Sequence, residues 1–110
     1  MTNLWIVILL LCSASDALAE CGTYYCDYAR VLGVTTAADG SVFVQVSGAT
    51  ANLNCTLHGG SYLTLQRSGL GFKEMYASIL AHQMTDKPLM FRINEGSSGC
   101  TINYIYATAS

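Results

Sequence analysis

Residues 72–93 read FKEMYASILAHQMTDKPLMFRI, and this stretch decides how the chain is built. Its apolar residues follow the i, i+3, i+4, i+7, i+8 spacing of a helix that lies on a core. They are Phe72, Met75, Tyr76, Ile79, Leu80 and Met84. Pro88 prevents helical continuation, so the helix is predicted to end near Thr85 or Asp86. The alternating residues 89–93 then predict a half-buried strand.

Further strands are predicted on both sides of this unit. They cover residues 30–36, 41–47, a weaker 52–57, and 100–106, with a hairpin turn at Asp39-Gly40. The order is three strands, one helix and two strands, which favours a mostly β fold: a five-stranded OB-fold-like small barrel with the amphipathic helix between strands 3 and 4. An open antiparallel sheet with one helix packed across it is the competing architecture.

An apolar run at residues 4–12 precedes small residues at Ala17 and Ala19. The run is too short to span a bilayer, which takes roughly 20 apolar residues. The pattern therefore predicts a signal peptide at residues 1–19, cleaved before Glu20, and a single disulfide-stapled domain at residues 20–110. A retained membrane anchor is the alternative. The predicted location is secreted or periplasmic, with no membrane span after the leader is removed.

Four cysteines remain after the leader: Cys21, Cys26, Cys55 and Cys100. An even number in a small exported domain predicts two disulfides, with three possible connectivities. The spacing favours Cys21 with Cys26, which closes a short loop, and Cys55 with Cys100, which ties the middle of the chain to its end. The other two connectivities stay open at the level of sequence.

Composition excludes several classes of protein. With 52% hydrophobic and 11% charged residues, the chain is unlike a disordered protein, which has low hydrophobicity and high charge. Its 110 residues allow one domain. A net charge of -2 with five Lys and Arg residues argues against nucleic-acid binding, which depends on many phosphate contacts.

Tyrosines are the candidate recognition residues. Tyr24, Tyr25 and Tyr28 lie within five residues, beside Cys21 and Cys26. A tyrosine offers a flat apolar face for a sugar ring and a hydroxyl for hydrogen bonding, so these three are the predicted ligand-binding residues. A surface covering held down by the disulfide is the alternative role.

A second tyrosine pair lies near the end of the chain. Tyr104 and Tyr106 alternate along the last strand, in phase with Cys100 and Ile102. They are expected to pack inside the barrel.

No pattern in the sequence predicts catalysis, a metal site or a cofactor. His58 and His82 are far apart, and the cysteine spacing lacks the two close pairs of a zinc site. No nucleophile elbow is present, and the acidic residues show no pairing that singles out a hydrolase. The sequence predicts that the protein is not an enzyme.

The segments FKEMY (72–76) and TDKPLMFRI (85–93) resemble B subunits of AB5 toxins, of the subtilase-cytotoxin and typhoid-toxin type. Cys55 falls where those subunits have a strand cysteine. The chain is also similar to small exported bacterial proteins with the same helix–strand–cysteine ending. The resemblance implies an OB-fold that forms a homo-pentamer and binds glycans.

The leading hypothesis is a secreted, non-catalytic binding module that resembles a toxin B subunit and recognises a glycan or a protein surface. The alternative is an extracytoplasmic immunity or inhibitor protein, or a structural partner protein. A small secreted hydrolase ranks third.

Overall fold

The predicted helix is present as α1, Phe72–Thr85, in a computed structural model that describes residues 18–107. It starts after Gly71, whose φ of 74° is a left-handed conformation that glycine adopts without strain. It ends at Asp86, which also has a left-handed backbone, with φ 54°. There the Lys87 N–H donates a hydrogen bond of 3.0 Å to the His82 carbonyl oxygen.

Nine short strands accompany the helix in the part of the chain that the structure describes. They are β1 (Glu20–Cys21), β2 (Tyr25–Ala29), β3 (Val31–Thr36), β4 (Val42–Val46), β5 (Thr56–Leu57), β6 (Leu63–Leu65), β7 (Leu89–Ile93), β8 (Ser98–Gly99) and β9 (Ile102–Ala107). Sheet A has the order β1-β2-β7-β9 and sheet B the order β3-β4-β6, both antiparallel. Strands β5 and β8 pair in parallel as sheet C.

The fold is therefore mostly β with one helix, as predicted, but a closed five-stranded barrel is not confirmed. Over residues 18–107 the chain forms three sheets, and between β6 and β9 we find only an isolated parallel bridge from Thr64 to Thr101. The weaker strand predicted at 52–57 shrinks to β5, because Thr50–Asn52 forms a turn of 3-10 helix instead.

Strands β1 and β2 were not predicted, because β1 is only two residues long and β2 pairs with β7, which is distant in sequence. Cys26 lies opposite Cys21 on one side and opposite Phe91 on the other. Two-residue strands such as β1 carry no periodicity that a sequence pattern can detect.

Arg30 is the residue at which the chain passes from sheet A to sheet B, since β2 ends at Ala29 and β3 begins at Val31. Its N–H donates to Ser47 Oγ at 2.9 Å, and its carbonyl accepts from the Ser47 N–H at 3.0 Å. Its guanidinium forms an ion pair with the Asp86 carboxylate, 3.3 Å between Nη1 and Oδ1, and also donates to the Asp86 carbonyl. Arg30 thus connects both sheets to the end of α1.

The core lies between the inner faces of sheets A and B, and α1 covers one side of it. Alternation puts Val42, Val44 and Val46 inward on β4, as the sequence predicts. The fully buried large side chains are Phe91, Leu63, Leu65, Ile79, Leu89 and Ile93. Ile79 is the buried residue of α1, and Phe72, Met75 and Tyr76 pack partly buried against the core. Met84, which was expected on the same stripe, is 84% exposed.

Two disulfides close the chain on itself, in the pairing that the sequence favours. Cys21 bonds Cys26 across the β1–β2 hairpin, and Cys55 bonds Cys100 from 45 positions away. The longer one links the segment before β5 to the segment before β9. It therefore reinforces the short parallel pairing of β5 with β8, since Cys55 directly precedes β5 and Cys100 directly follows β8.

The predicted signal peptide falls mostly on residues 1–17, which lie outside the described residues. Between residues 18 and 107, no helix has the length and apolar content needed to cross a membrane.

The two disulfides are expected to contribute unequally to stability. In the chain-entropy model, removing the Cys55–Cys100 disulfide by the double change Cys55→Ala and Cys100→Ala lowers the free energy of unfolding by about 4 kcal/mol. Removing the Cys21–Cys26 disulfide by Cys21→Ala with Cys26→Ala lowers it by about 2 kcal/mol. Urea unfolding of the three oxidised proteins measures both values. Equal losses of stability, or a larger loss on removing the Cys21–Cys26 disulfide, would contradict this expectation.

The β3–β4 turn makes a smaller, pH-dependent contribution. Asp39 Oδ1 accepts a 2.9 Å hydrogen bond from the Ser41 N–H, and the hydrogen bonds from Ser41 lower the pKa of the Asp39 carboxyl. A lowered folded-state pKa means that the stabilisation is present above the unfolded-state value and is lost as the pH falls. We expect the stability difference between wild type and Asp39→Ala to shrink on acidification through this range, as followed by urea unfolding. A difference that grows with acid would be inconsistent with this turn.

Candidate functional site

The strand register of sheet A places an arginine between two tyrosines. Tyr25 on β2 lies opposite Arg92 on β7, and Arg92 lies opposite Tyr104 on β9. Successive residues of a strand point to opposite faces of a sheet. Since Phe91 and Ile93 are buried, Arg92 and its row point away from the core.

Arg92 lies against aromatic rings within this row. Its Cζ atom is 4.3 Å from the centre of the Tyr24 ring and 6.0 Å from that of Tyr104. Both distances fall within the range of cation–π attraction. The Tyr24 and Tyr25 rings meet edge to face, with centroids 5.1 Å apart. We call Tyr24, Tyr25, Arg92 and Tyr104 the tyrosine–arginine face.

The positive charge of Arg92 has no carboxylate partner among residues 18–107. The ion pair found there joins Arg30 to Asp86 instead. The Arg92 Nε atom is buried and has no hydrogen-bond acceptor in that part of the chain. Within residues 18–107, the rings of Tyr24 and Tyr104 are thus the groups that stabilise this guanidinium.

The β1–β2 hairpin fixes the position of Tyr24 and Tyr25. The Cys21–Cys26 disulfide closes it, and the Gly22 N–H donates to the Tyr25 carbonyl oxygen at 2.9 Å. The Tyr24 carbonyl accepts from the Ile93 N–H at 2.9 Å, which ties the hairpin tip to β7 beside Arg92. The face therefore rests on a covalently closed turn and a central strand.

Tyr28, the third tyrosine predicted to bind ligand, does not join this face. It lies where the β2–β7 register shifts, with φ 50°, and its N–H bonds Asp27 Oδ1 at 3.0 Å. It is 39% exposed, yet no ring contact within residues 18–107 links it to Tyr24 or Tyr25. The structure thus unites two of the three predicted residues.

Arg92 and Tyr104 are the residues that the sequence interpretation missed. Tyr104 and Tyr106 were expected inside a barrel, but they are 44% and 60% exposed. The expectation was wrong because the register shifts after Ile93: Ile93 lies opposite Ile102, but Arg92 lies opposite Tyr104. The extra residue, Asn103, turns both tyrosines outward. A single charged residue in the otherwise apolar strand sequence LMFRI was the feature of the sequence that could have identified Arg92 as a candidate site residue.

Among residues 18–107, clefts lie around the segment that precedes α1, including one of about 540 Å³ beside Thr64 and Arg67. Another cleft, of about 440 Å³, lies between this segment and β3, and Arg67 and Lys73 are among its lining residues. A third cleft, of about 280 Å³, lies near Met75 and Ile102. Leu70, at the tip of the loop, is 98% exposed. None of these clefts includes a member of the tyrosine–arginine face.

The two histidines have separate local partners. His58 stacks on Phe43, with ring centroids 3.8 Å apart and planes 7° apart. His82 Nδ1 lies 2.7 Å from the Ser78 carbonyl oxygen, one turn earlier on α1. Across residues 18–107, no group of three or more metal-binding side chains forms.

Comparison with known proteins adds no relative: no family model, curated protein or solved structure matches the chain.

Gly22 is predicted to control the tyrosine–arginine face. A Cβ atom at this position would stand 2.6 Å from Tyr25 Cε1, so Gly22→Ala must displace the Tyr25 ring and, through it, the Tyr24 ring. We expect altered ring-proton NMR shifts for both tyrosines and a stability loss of about 1 kcal/mol, as in other overpacked sites.

Gly33→Ala is the matched control, because the nearest atom to its new Cβ is 3.8 Å away. It should leave the tyrosine spectra unchanged. Wild-type ring shifts in the Gly22→Ala protein would show that the hairpin does not constrain these rings.

Proposed function

We propose that this protein is a secreted, non-catalytic binding module that recognises its ligand with the tyrosine–arginine face. The observation that carries the proposal is the guanidinium of Arg92 placed 4.3 Å from the Tyr24 ring and 6.0 Å from the Tyr104 ring on an outward-facing row. Flat aromatic surfaces with polar edges suit a sugar ring, which offers C–H groups on its faces and hydroxyls at its rim.

The scaffold is suited to this role, because Tyr25, Arg92 and Tyr104 lie on strands and Tyr24 lies in the turn that the Cys21–Cys26 disulfide closes. Arg92 belongs to β7, which is hydrogen-bonded on both sides, by β2 and by β9. Sites on regular elements hold their side chains more tightly than sites on loops, so less conformational entropy is lost on binding.

We further propose that the domain is an opened OB-fold-like barrel, similar to that of a toxin B subunit. The strand order supports this. Sheet B ends at β6, the Thr64–Thr101 bridge leads to the start of β9, and β9 leads through β7 to β2. Strand β2 then continues through Arg30 into β3, which is the first strand of sheet B, so the path returns to its start. In chain order the helix stands between β6 and β7, which are the third and fourth strands when β2 and β3 are counted as one strand and the two-residue strands are left out.

A protein ligand is the second candidate, and it corresponds to an immunity, inhibitor or structural partner. Tyrosine, arginine and methionine are enriched at protein–protein interfaces. Met90 and Tyr106 extend the face by one more row, since they lie opposite each other on β7 and β9.

A glycan array probed with the purified domain, residues 20–110, tests the first proposal. We expect binding to a defined group of glycans, and about tenfold weaker binding for Tyr24→Ala, which equals roughly 1.4 kcal/mol. Tyr28→Ala is the matched control, because Tyr24 and Tyr28 are 38% and 39% exposed. It should bind like wild type.

Sedimentation velocity of the same protein tests the likeness to a toxin B subunit, which implies a pentamer. A monomer that binds no glycan would overturn the glycan proposal and favour a protein partner. Equal losses for Tyr24→Ala and Tyr28→Ala would place the binding site outside the tyrosine–arginine face.

A further inference from the structure

Arg92 carries a positive charge that the fold surrounds with rings and leaves without a counter-charge. On the neighbouring β1–β2 hairpin, Glu20 and Asp27 lie opposite each other. Asp27 Oδ1 accepts the Tyr28 N–H instead of pairing with Arg92. Within residues 18–107 no carboxylate approaches the Arg92 guanidinium to ion-pair distance.

A half-buried guanidinium with an unpaired Nε loses hydration without gaining a protein acceptor. Such a group binds an anion more strongly than a fully hydrated one does, because part of the desolvation cost is met when the protein folds. Arginine binds planar carboxylates best, with two parallel hydrogen bonds.

Tyr104 lies opposite Arg92 on β9, and Tyr106 follows it on the same side of the strand. Two residues along a strand are about 7 Å apart, so the two exposed tyrosines lie in a row on the side of the sheet that carries Arg92. A ligand that fits this arrangement has a ring to lie on tyrosine and a carboxylate at the edge of that ring.

We propose that the tyrosine–arginine face binds a glycan that contains uronic acid, with a pyranose ring against Tyr104 and the carboxylate of that ring on Arg92. This inference rests on the proposed function and names the ligand class of the same face. A uronic acid meets both requirements, because its carboxylate is attached directly to the sugar ring.

An acidic peptide is the weaker fit. Peptides are bound along exposed sheet edges or in grooves. The row that contains Arg92 lies on the face of sheet A, on a strand paired on both sides, and it belongs to none of the three clefts described around the segment that precedes α1.

Isothermal titration of the purified domain with a galacturonic acid tetrasaccharide tests the proposal, and the fully methyl-esterified tetrasaccharide is the neutral control. We expect the acid to bind at least tenfold more tightly than the ester, with an advantage that falls as salt is added. Arg92→Gln should weaken binding of the acid by about 10- to 100-fold, the range for a hydrogen bond between charged groups.

Lys87→Gln is the matched variant, since it removes one positive charge from an exposed position after α1 and should bind the acid like wild type. Arg92→Lys keeps the charge without the planar fork, so it should bind the acid more weakly than wild type. If Arg92→Gln does not fold, the comparison of acid with ester on the wild-type protein and Arg92→Lys still decides the matter.

Equal binding of acid and ester at this face would overturn the inference and leave the proposed glycan-binding function intact. Wild-type affinity in folded Arg92→Gln would also overturn it. Absence of binding to both tetrasaccharides would overturn it as well, and the glycan array then shows whether the broader proposal survives.

Discussion

Both sheets depend on Arg30, where one continuous segment of chain leaves sheet A and enters sheet B. The backbone of Arg30 is held in both directions by Ser47, and its side chain by Asp86 at the end of α1. The exposed ion pair itself adds at most about 1 kcal/mol. The larger effect is geometric, because the same segment of chain contributes β2 to sheet A before Arg30 and β3 to sheet B after it.

The sequence predicts those parts of the fold that local physics decides. The bounds of α1 follow from the spacing of its apolar residues and from Pro88. The β3–β4 turn follows from Asp39 and Gly40, and the disulfide pairing agrees with the one that loop length favours. In each case the deciding interactions lie within a few residues, or the spacing of the cysteines favours one of three connectivities.

What the sequence did not predict depends on pairing between distant segments. Strand β1 differs, because it pairs locally, with Cys21 opposite Cys26, and its two residues are too few to show a periodicity. A single extra residue, Asn103, exchanges the two faces of β9 and brings Tyr104 to the surface opposite Arg92. A register shift of one residue leaves composition unchanged and reverses the direction of every later side chain. Of the four residues of the tyrosine–arginine face, the sequence therefore predicted Tyr24 and Tyr25 but not Arg92 and Tyr104.

The Cys55–Cys100 bond has a consequence for how the molecule withstands proteases. It encloses β6, α1 and β7, and the fully exposed Leu70 lies within the enclosed segment. Exposed loop tips are the preferred sites of proteolytic nicking. A cut beside Leu70 leaves the two fragments covalently joined, so a nicked molecule stays in one piece until it is reduced. In an extracellular setting, such a bond makes the connectivity of the domain independent of the integrity of its most accessible loop.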